Sequence, residues 1–422
     1  MATLLNRSSR SVHPQLVFKL VSARAETDRL FGIVRKQAIY DRPIPERHRI
    51  IFYIGHLEAF DLNLLGKALG VVPFHADFDR LFAFGIDPTN GDTPNDEPSA
   101  WPTLREVEAY CQRVREELDQ ALGKVSETDE LLELLNIAIE HRLMHAETLE
   151  YMFHQLPYES KARPDFGAQN LNPGVRQSSE MMHVPSGTIT MGLEKNDGTF
   201  GWDNEFSSHI VQVDSFFIDK YKVTNGDFVK FVKNGGYQQR SFWRPDDWEW
   251  KIQAAVEHPV FWLRGDKGYR YRSMFEEIDL PLDSPVFVSY AEAVAYAQWA
   301  GKGLPTEAEW QLAAEGAQGP ADTRTLWDPP PVGVCYGTDS RFGVGGLYGT
   351  GWEWTSTVFE RFPGFEAHPA YPGYSANFFD GGHYVMKGGS TRTAAGLLRK
   401  SFRNWFQPHY QYVYAGFRCV TR

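Results

Sequence analysis

The chain has 422 residues, 42% of them hydrophobic and 23% charged, with a formal net charge of −11 from 43 Lys and Arg against 54 Asp and Glu. That length suits two or three domains, the composition excludes a chain disordered over most of its length, and the acidic balance argues against general binding to a phosphate backbone. Three cysteines far apart, Cys111, Cys335 and Cys419, with no CxxC spacing, argue against a disulfide framework or a cysteine zinc site and give a reducing compartment as the default. The N-terminus carries two arginines but no apolar stretch before a cleavage site. No run reaches the ~18 apolar residues of a membrane-spanning helix. A cytoplasmic protein is expected, with neither a membrane nor a nucleic acid as partner.

Residues 15–155 read as helices. From Gln15 to Val34 the apolar residues Leu16, Leu20, Val21, Ala23, Leu30, Ile33 and Val34 recur near the helical period. The run from His48 to Leu69 is apolar nearly all round and should be buried. A polar loop over 85–102 follows. Loops of that length are often functional or mobile. Thr103, with Glu106 three residues on, is a capping-box start for a third helix through Leu122. A fourth helix begins at Ser126 and runs to Leu156. Four such helices predict a bundle. Residues 161–180 are polar, with Gly and Pro and no period, and read as a linker between a domain over 1–160 and one over 181–422.

The second half changes character. Short β-type runs over 183–192, 209–223 and 383–390 are separated by Gly-rich turns. Helical stretches over 225–236, 289–301 and 304–317 interrupt them. Most of the 12 Trp lie in this half, which reads as a loop-rich α+β domain. Trp352 and Trp354 are expected in its core.

The sharpest motif is His141 and His145 in the fourth helix. A spacing of four turns a helix by about 400°, so both imidazoles leave one face. Ala138, Leu149 and Met152 lie at helical spacing from one or both, which puts the pair at the edge of a core-facing stripe. His56 sits in the apolar second helix, where an unpartnered imidazole is costly. Bundles build metal sites from side chains facing inward on adjacent helices. His56, His141 and His145 therefore form a candidate three-histidine metal face. Glu147 lies about 200° round the helix from His145 and is expected outside the direct ligands, orienting something behind them or solvated. Such a face suits tetrahedral zinc with one water or octahedral Fe(II) with about three open positions. Spacing alone does not choose between them.

At this point the residues resemble known families. The HxxxHxE helix with an upstream His resembles the DinB-like four-helix domain. The segments KVTNGDFV (222–229), SYAEA (289–293), WAGKGLPTEAEW (299–310), GWEWT (351–355), KGGS (387–390) and AGFRC (415–419) resemble the formylglycine-generating-enzyme fold, which is similar to the C-type lectin fold. The fusion covers nearly the whole chain. It resembles the non-haem iron synthases of the ergothioneine pathway and the related selenoneine synthases. That resemblance implies Fe(II) on the three histidines, a second domain closing over the metal, and O2-dependent bond formation between a sulfur or selenium donor and C2 of the hercynine imidazole.

Further roles are implied in the same way. The run from Ser401 to Tyr410 resembles the segment that contacts substrate, with Asn404 and Trp405 matching. Phe406 and Tyr410 stand where family members that use γ-glutamylcysteine carry an acid and an arginine, and a Trp-containing segment common before the second-helix histidine is replaced here by Ile51–Gly55. Both departures favour another donor: cysteine, or the selenosugar of the selenoneine branch, to which the reading leans. A tyrosine near the iron steers these enzymes away from plain thiol oxidation. Tyr371 and Tyr374 are the candidates, in a loop where tyrosine is equally suited to packing. Two alternatives are a zinc-dependent thiol S-transferase, and a binding module with a structural metal.

Overall fold

The computed structural model describes residues 14–83, 94–164, 180–195, 198–320 and 337–422. Most of the expected linker, part of the 85–102 loop, and Cys335 lie outside these. The chain divides into two compact units, Met1–Asp165 and Phe166–Arg422. Among the described residues no helix is long and apolar enough to cross a membrane.

The first unit contains α1 (Pro14–Phe31), α2 (Ile50–Leu69), α3 (Ala76–Leu81), α4 (Leu104–Leu122) and α5 (Asp129–His154). α1 packs on α5, and α2 packs on both α4 and α5, so the four long helices form the expected bundle. α2 is buried along most of its length, as its all-round apolar sequence requires. It ends at Gly70, whose φ of 69° is the left-handed cap that glycine adopts without strain. The capping box at α4 forms as its sequence implies, with Thr103 and Glu106 exchanging side-chain and backbone contacts. α5 starts at Asp129, later than expected, because Thr128 accepts the Leu131 N–H and caps the helix there. The short α3 was not evident in the sequence. Its six residues are too few to show a period.

The bundle interior also holds charge. Arg142 on α5 donates to Glu58 at 2.9 Å and to Asp61 at 2.8 Å on α2, with all three side chains buried. Arg115 on α4 reaches Glu58 at 2.7 Å. Arg24 on α1 lies 3.7 Å from Asp61. Burial would raise Glu58, but Arg142 and Arg115 outweigh it and hold its carboxyl at about 2. At Asp61 burial wins over Arg142 and Arg24, and its pKa is raised. One ionic cluster thus ties the four long helices together, one residue from His141 and two from His56.

The second unit runs in order through β1 (Met181–Val184), β2 (Gly187–Met191), β3 (His209–Val213), β4 (Phe216–Asp219), α6 (Asn225–Lys233), α7 (Pro245–Gln253), β5 (Trp262–Gly265), β6 (Gly268–Arg272), β7 (Glu277–Asp279), α8 (Tyr290–Trp299), α9 (Glu307–Ala313), β8 (Trp352–Val358), β9 (Tyr384–Lys387), β10 (Asn404–Phe406), β11 (Ala415–Gly416) and β12 (Val420–Thr421). The largest sheet has the order β10-β9-β8-β11, beside sheets β1-β4-β12, β5-β6-β7 and β2-β3. α7 and the β5-β6-β7 sheet were not expected from the sequence.

The sequence motifs of this half meet at two buried charges. Glu353 accepts from Arg418, from the Trp310 indole at 2.9 Å, and pairs with Lys222 at 2.9 Å. Glu307 pairs with Arg403 at 3.0 Å and Lys387 at 3.5 Å. Thr306 and Glu309 form the capping box of α9. The Thr-Glu-Ala-Glu-Trp run is therefore a helix start that also supplies a buried acid and an indole donor. Trp352 and Trp354 are buried, and the Trp354 indole donates to the Val288 carbonyl. Cys419 is buried just before β12, and burial pushes its thiol well up, the opposite of what a reactive thiolate needs.

Candidate metal centre

His56 comes from the middle of α2, and His141 and His145 from successive turns of α5. Because those helices pack against each other, the three rings converge. One nitrogen from each lies within 4.8 Å of the others. His56 Nε2 and His145 Nε2 are 3.3 Å apart. The rings meet edge to face, with centroids 4.5 Å apart for His141 and His145, and 4.9 Å for His56 and His145. His56 and His141 are buried and His145 is half-buried.

His56 Nδ1 lies 2.8 Å from the Phe82 carbonyl. A carbonyl only accepts, so Nδ1 carries the proton and Nε2 presents its lone pair to the cluster. Phe82 caps α3, and that short helix is what brings its carbonyl over α2. The approach depends on Gly55: a Cβ there would sit 2.6 Å from the Phe82 ring. Phe60 stacks on His141 at 3.5 Å and 9°, and Phe52 on His56 at 5.0 Å and 18°, holding two of the rings in plane.

Electrostatics favours neutral imidazoles. Burial lowers His56 to about 4, opposed only by the Phe82 carbonyl. Burial and the neighbouring rings take His141 and His145 well below the ordinary value. A neutral imidazole with a directed lone pair is the form that binds a metal, so the donor set fits a divalent ion. Glu147 is buried on α5 but stands outside the three-histidine group.

The remaining residues singled out from the sequence lie in the second unit. Asn404, Trp405 and Phe406 form the edge strand β10, paired with Met386, Val385 and Tyr384 of β9. Trp405 stacks on Phe359 at 4.2 Å and meets Tyr374 edge-on at 5.4 Å. Tyr374 stacks on Trp202 at 3.9 Å, and Tyr371 lies 5.7 Å from Tyr374. Their loop is held by buried Asp203, which accepts from the Ser375 hydroxyl and the His368 N–H. Phe406 and Tyr410 stack on each other at 4.9 Å and 17°. Trp405, Tyr371 and Tyr374 thus share one aromatic cluster, and Phe406 and Tyr410 form a second pair.

Sequence reasoning missed the Phe82 carbonyl and the Arg142 cluster. Every residue has a carbonyl, so the first left no signal. The second did: Glu58 and Asp61 are acids in a largely apolar helix, and Arg142 directly follows His141.

Residues 19–149 match the DinB superfamily, and residues 168–328 and 331–422 match the sulfatase-modifying factor enzyme 1-like domain. The hercynine oxygenase of Mycobacterium tuberculosis is 34% identical over 335 residues, covering 74% of this chain and 76% of that protein. That of Mycolicibacterium smegmatis is 33% identical over 338 residues, covering 75% and 77%. Ergothioneine biosynthesis protein 1 of Neurospora crassa is 28% identical over 490 residues, covering 91% of this chain and 55% of that protein. The chain therefore belongs to the ergothioneine-type synthase family of the hercynine oxygenases, in which a DinB superfamily domain precedes a sulfatase-modifying factor enzyme 1-like domain.

Proposed function

We propose that this protein is an Fe(II)- and O2-dependent synthase that joins the imidazole C2 of hercynine to the selenium of a selenosugar. The observation that carries the reading is the convergence of three imidazoles within 4.8 Å in a member of the hercynine oxygenase family. His56, His141 and His145 would hold the metal through three nitrogens, and gathering both reactants at one centre would turn an encounter into a positioned reaction. Iron, when bound, would supply O2 activation; as the imidazole C–H and selenium–H bonds give way to C–Se, the two electrons and two protons released would pass to O2. The protein's part is to keep the histidines neutral by burial and to fix the His56 tautomer through Phe82. Asn404, Trp405, Phe406 and Tyr410 bind substrate in this reading, and Tyr371 or Tyr374 suppresses simple oxidation of the donor. Glu147 orients the histidine helix from behind the ligands.

The stacked Phe406–Tyr410 pair favours the selenosugar. Two aromatic faces present no charge to the ends of a dipeptide and suit the C–H face of a sugar. The names of the relatives carry hercynine and ergothioneine but no selenium, which favours a second reading, an ergothioneine-pathway sulfoxide synthase using cysteine or another thiol. One experiment separates these. The protein is loaded anaerobically with Fe(II), hercynine is added with selenoglucose, cysteine or γ-glutamylcysteine, O2 is admitted, and product mass is read. We expect product with selenoglucose. Product with cysteine alone sinks the selenium reading, and full activity with zinc in place of iron sinks the redox mechanism.

A further inference from the structure

α7 clasps the 404–410 segment through one buried carboxylate. Asp247, 1% exposed, sits in the first turn of α7. Its Oδ1 accepts from His409 Nε2 at 2.9 Å and from Arg244 Nη2 at 3.0 Å, and its Oδ2 accepts from Arg244 Nε at 2.6 Å. One turn along α7, Trp250 lies flat on the His409 ring at 4.5 Å and 2°. Arg244 also donates to the Tyr384 hydroxyl at 2.7 Å. Tyr384 stands opposite Phe406 across the β9–β10 pairing and stacks on Tyr290 at 3.8 Å. The Ala291 N–H holds the Pro408 carbonyl at 3.1 Å.

Only the first three residues of this segment are in a strand, so its second half needs outside anchors to be rigid. The anchors fall on Pro408 and His409, between Phe406 and Tyr410. Those two rings remain half-buried and stacked on each other. We propose that Asp247 and His409 are positioning residues for the donor substrate, acting by holding the Phe406–Tyr410 pair in place. This rests on the reading above, in which that segment contacts the donor.

The test is steady-state kinetics of the iron-loaded, full-length protein with hercynine and selenoglucose. His409→Phe keeps a ring for Trp250 but removes the N–H that Asp247 accepts. Hydrogen bonds to charged groups are among the stronger ones, so we expect the KM for selenoglucose to rise about tenfold and the KM for hercynine to stay within about twofold. His409→Gln, which retains an N–H donor, should restore the selenoglucose KM to within about threefold of wild type. Asp247→Asn should move it in the same direction as His409→Phe. An unchanged selenoglucose KM in His409→Phe, a parallel rise for both substrates, or no rescue by Gln overturns the inference. Absence of wild-type turnover with selenoglucose sinks the functional reading itself, a different result from wild-type turnover with indifferent variants.

Discussion

At the scale of single residues, the proposed metal binding by the three histidines depends on protonation state and orientation more than on the presence of histidine. Replacing His56, His141 or His145 by Ala should abolish stoichiometric iron binding by the purified protein, measured by metal analysis after dialysis. Full retention would remove that residue from the ligand set. Gly55→Ala is a subtler probe. Its methyl group would enter the Phe82 ring and displace the carbonyl that orients His56. Loss of such outer partners typically costs 10–100-fold in metal affinity, so a weakening of that order is expected in a competitive chelator titration, with the helical circular dichroism retained. The HxxxH pair was legible in the sequence because a helix fixes the relative direction of residues four apart. Gly55 was not legible as a spacer, because its role exists only once α3 folds over α2.

At the scale of elements, buried ion pairs fix which helices and strands meet. Arg142 serves two acids on α2, so Arg142→Met would leave Glu58 to Arg115 and Asp61 to the longer contact with Arg24. Removing one partner of a buried pair typically costs about 3–5 kcal/mol, a loss to be read from denaturant unfolding. A smaller loss than about 1 kcal/mol would show that the acids are neutralised or solvated instead. In the second unit, burial would raise Glu353, but Arg418 and Lys222 hold its carboxyl below the usual value of 4.5. A depressed folded pKa contributes stability that is present above 4.5 and lost as pH falls below it. Glu353→Gln should therefore destabilise at neutral pH and flatten the acid limb of the stability profile. Equal acid sensitivity in variant and wild type would place the linkage elsewhere. The motifs in this half were recognisable as sequence, but their convergence on Glu353 and Glu307 was not, since Lys222 and Arg418 are brought to one carboxylate only by the sheet.

At the scale of the whole molecule, the candidate metal-binding histidines lie in the first unit and the proposed donor contacts in the second. The two contributions are separable by mutation. The double variant Phe406→Asp, Tyr410→Arg introduces the charged pair associated with γ-glutamylcysteine. It should raise kcat/KM for that thiol by at least about tenfold and lower it for selenoglucose, with iron stoichiometry unchanged. An unchanged donor ranking would show that selectivity is set by other residues.

The sequence by itself determined the helical first half, the α+β second half and the identity of the three histidines, because helical period, capping residues and dense local motifs are properties of neighbours along the chain. Tertiary structure alone decided how closely the three imidazoles approach, that Phe82 sets the His56 tautomer, that a charged cluster lies beside them, and that α7 anchors His409. Each of these is a contact between residues distant in sequence. It forms only when burial of apolar faces brings their elements together, and no local pattern encodes which elements those will be.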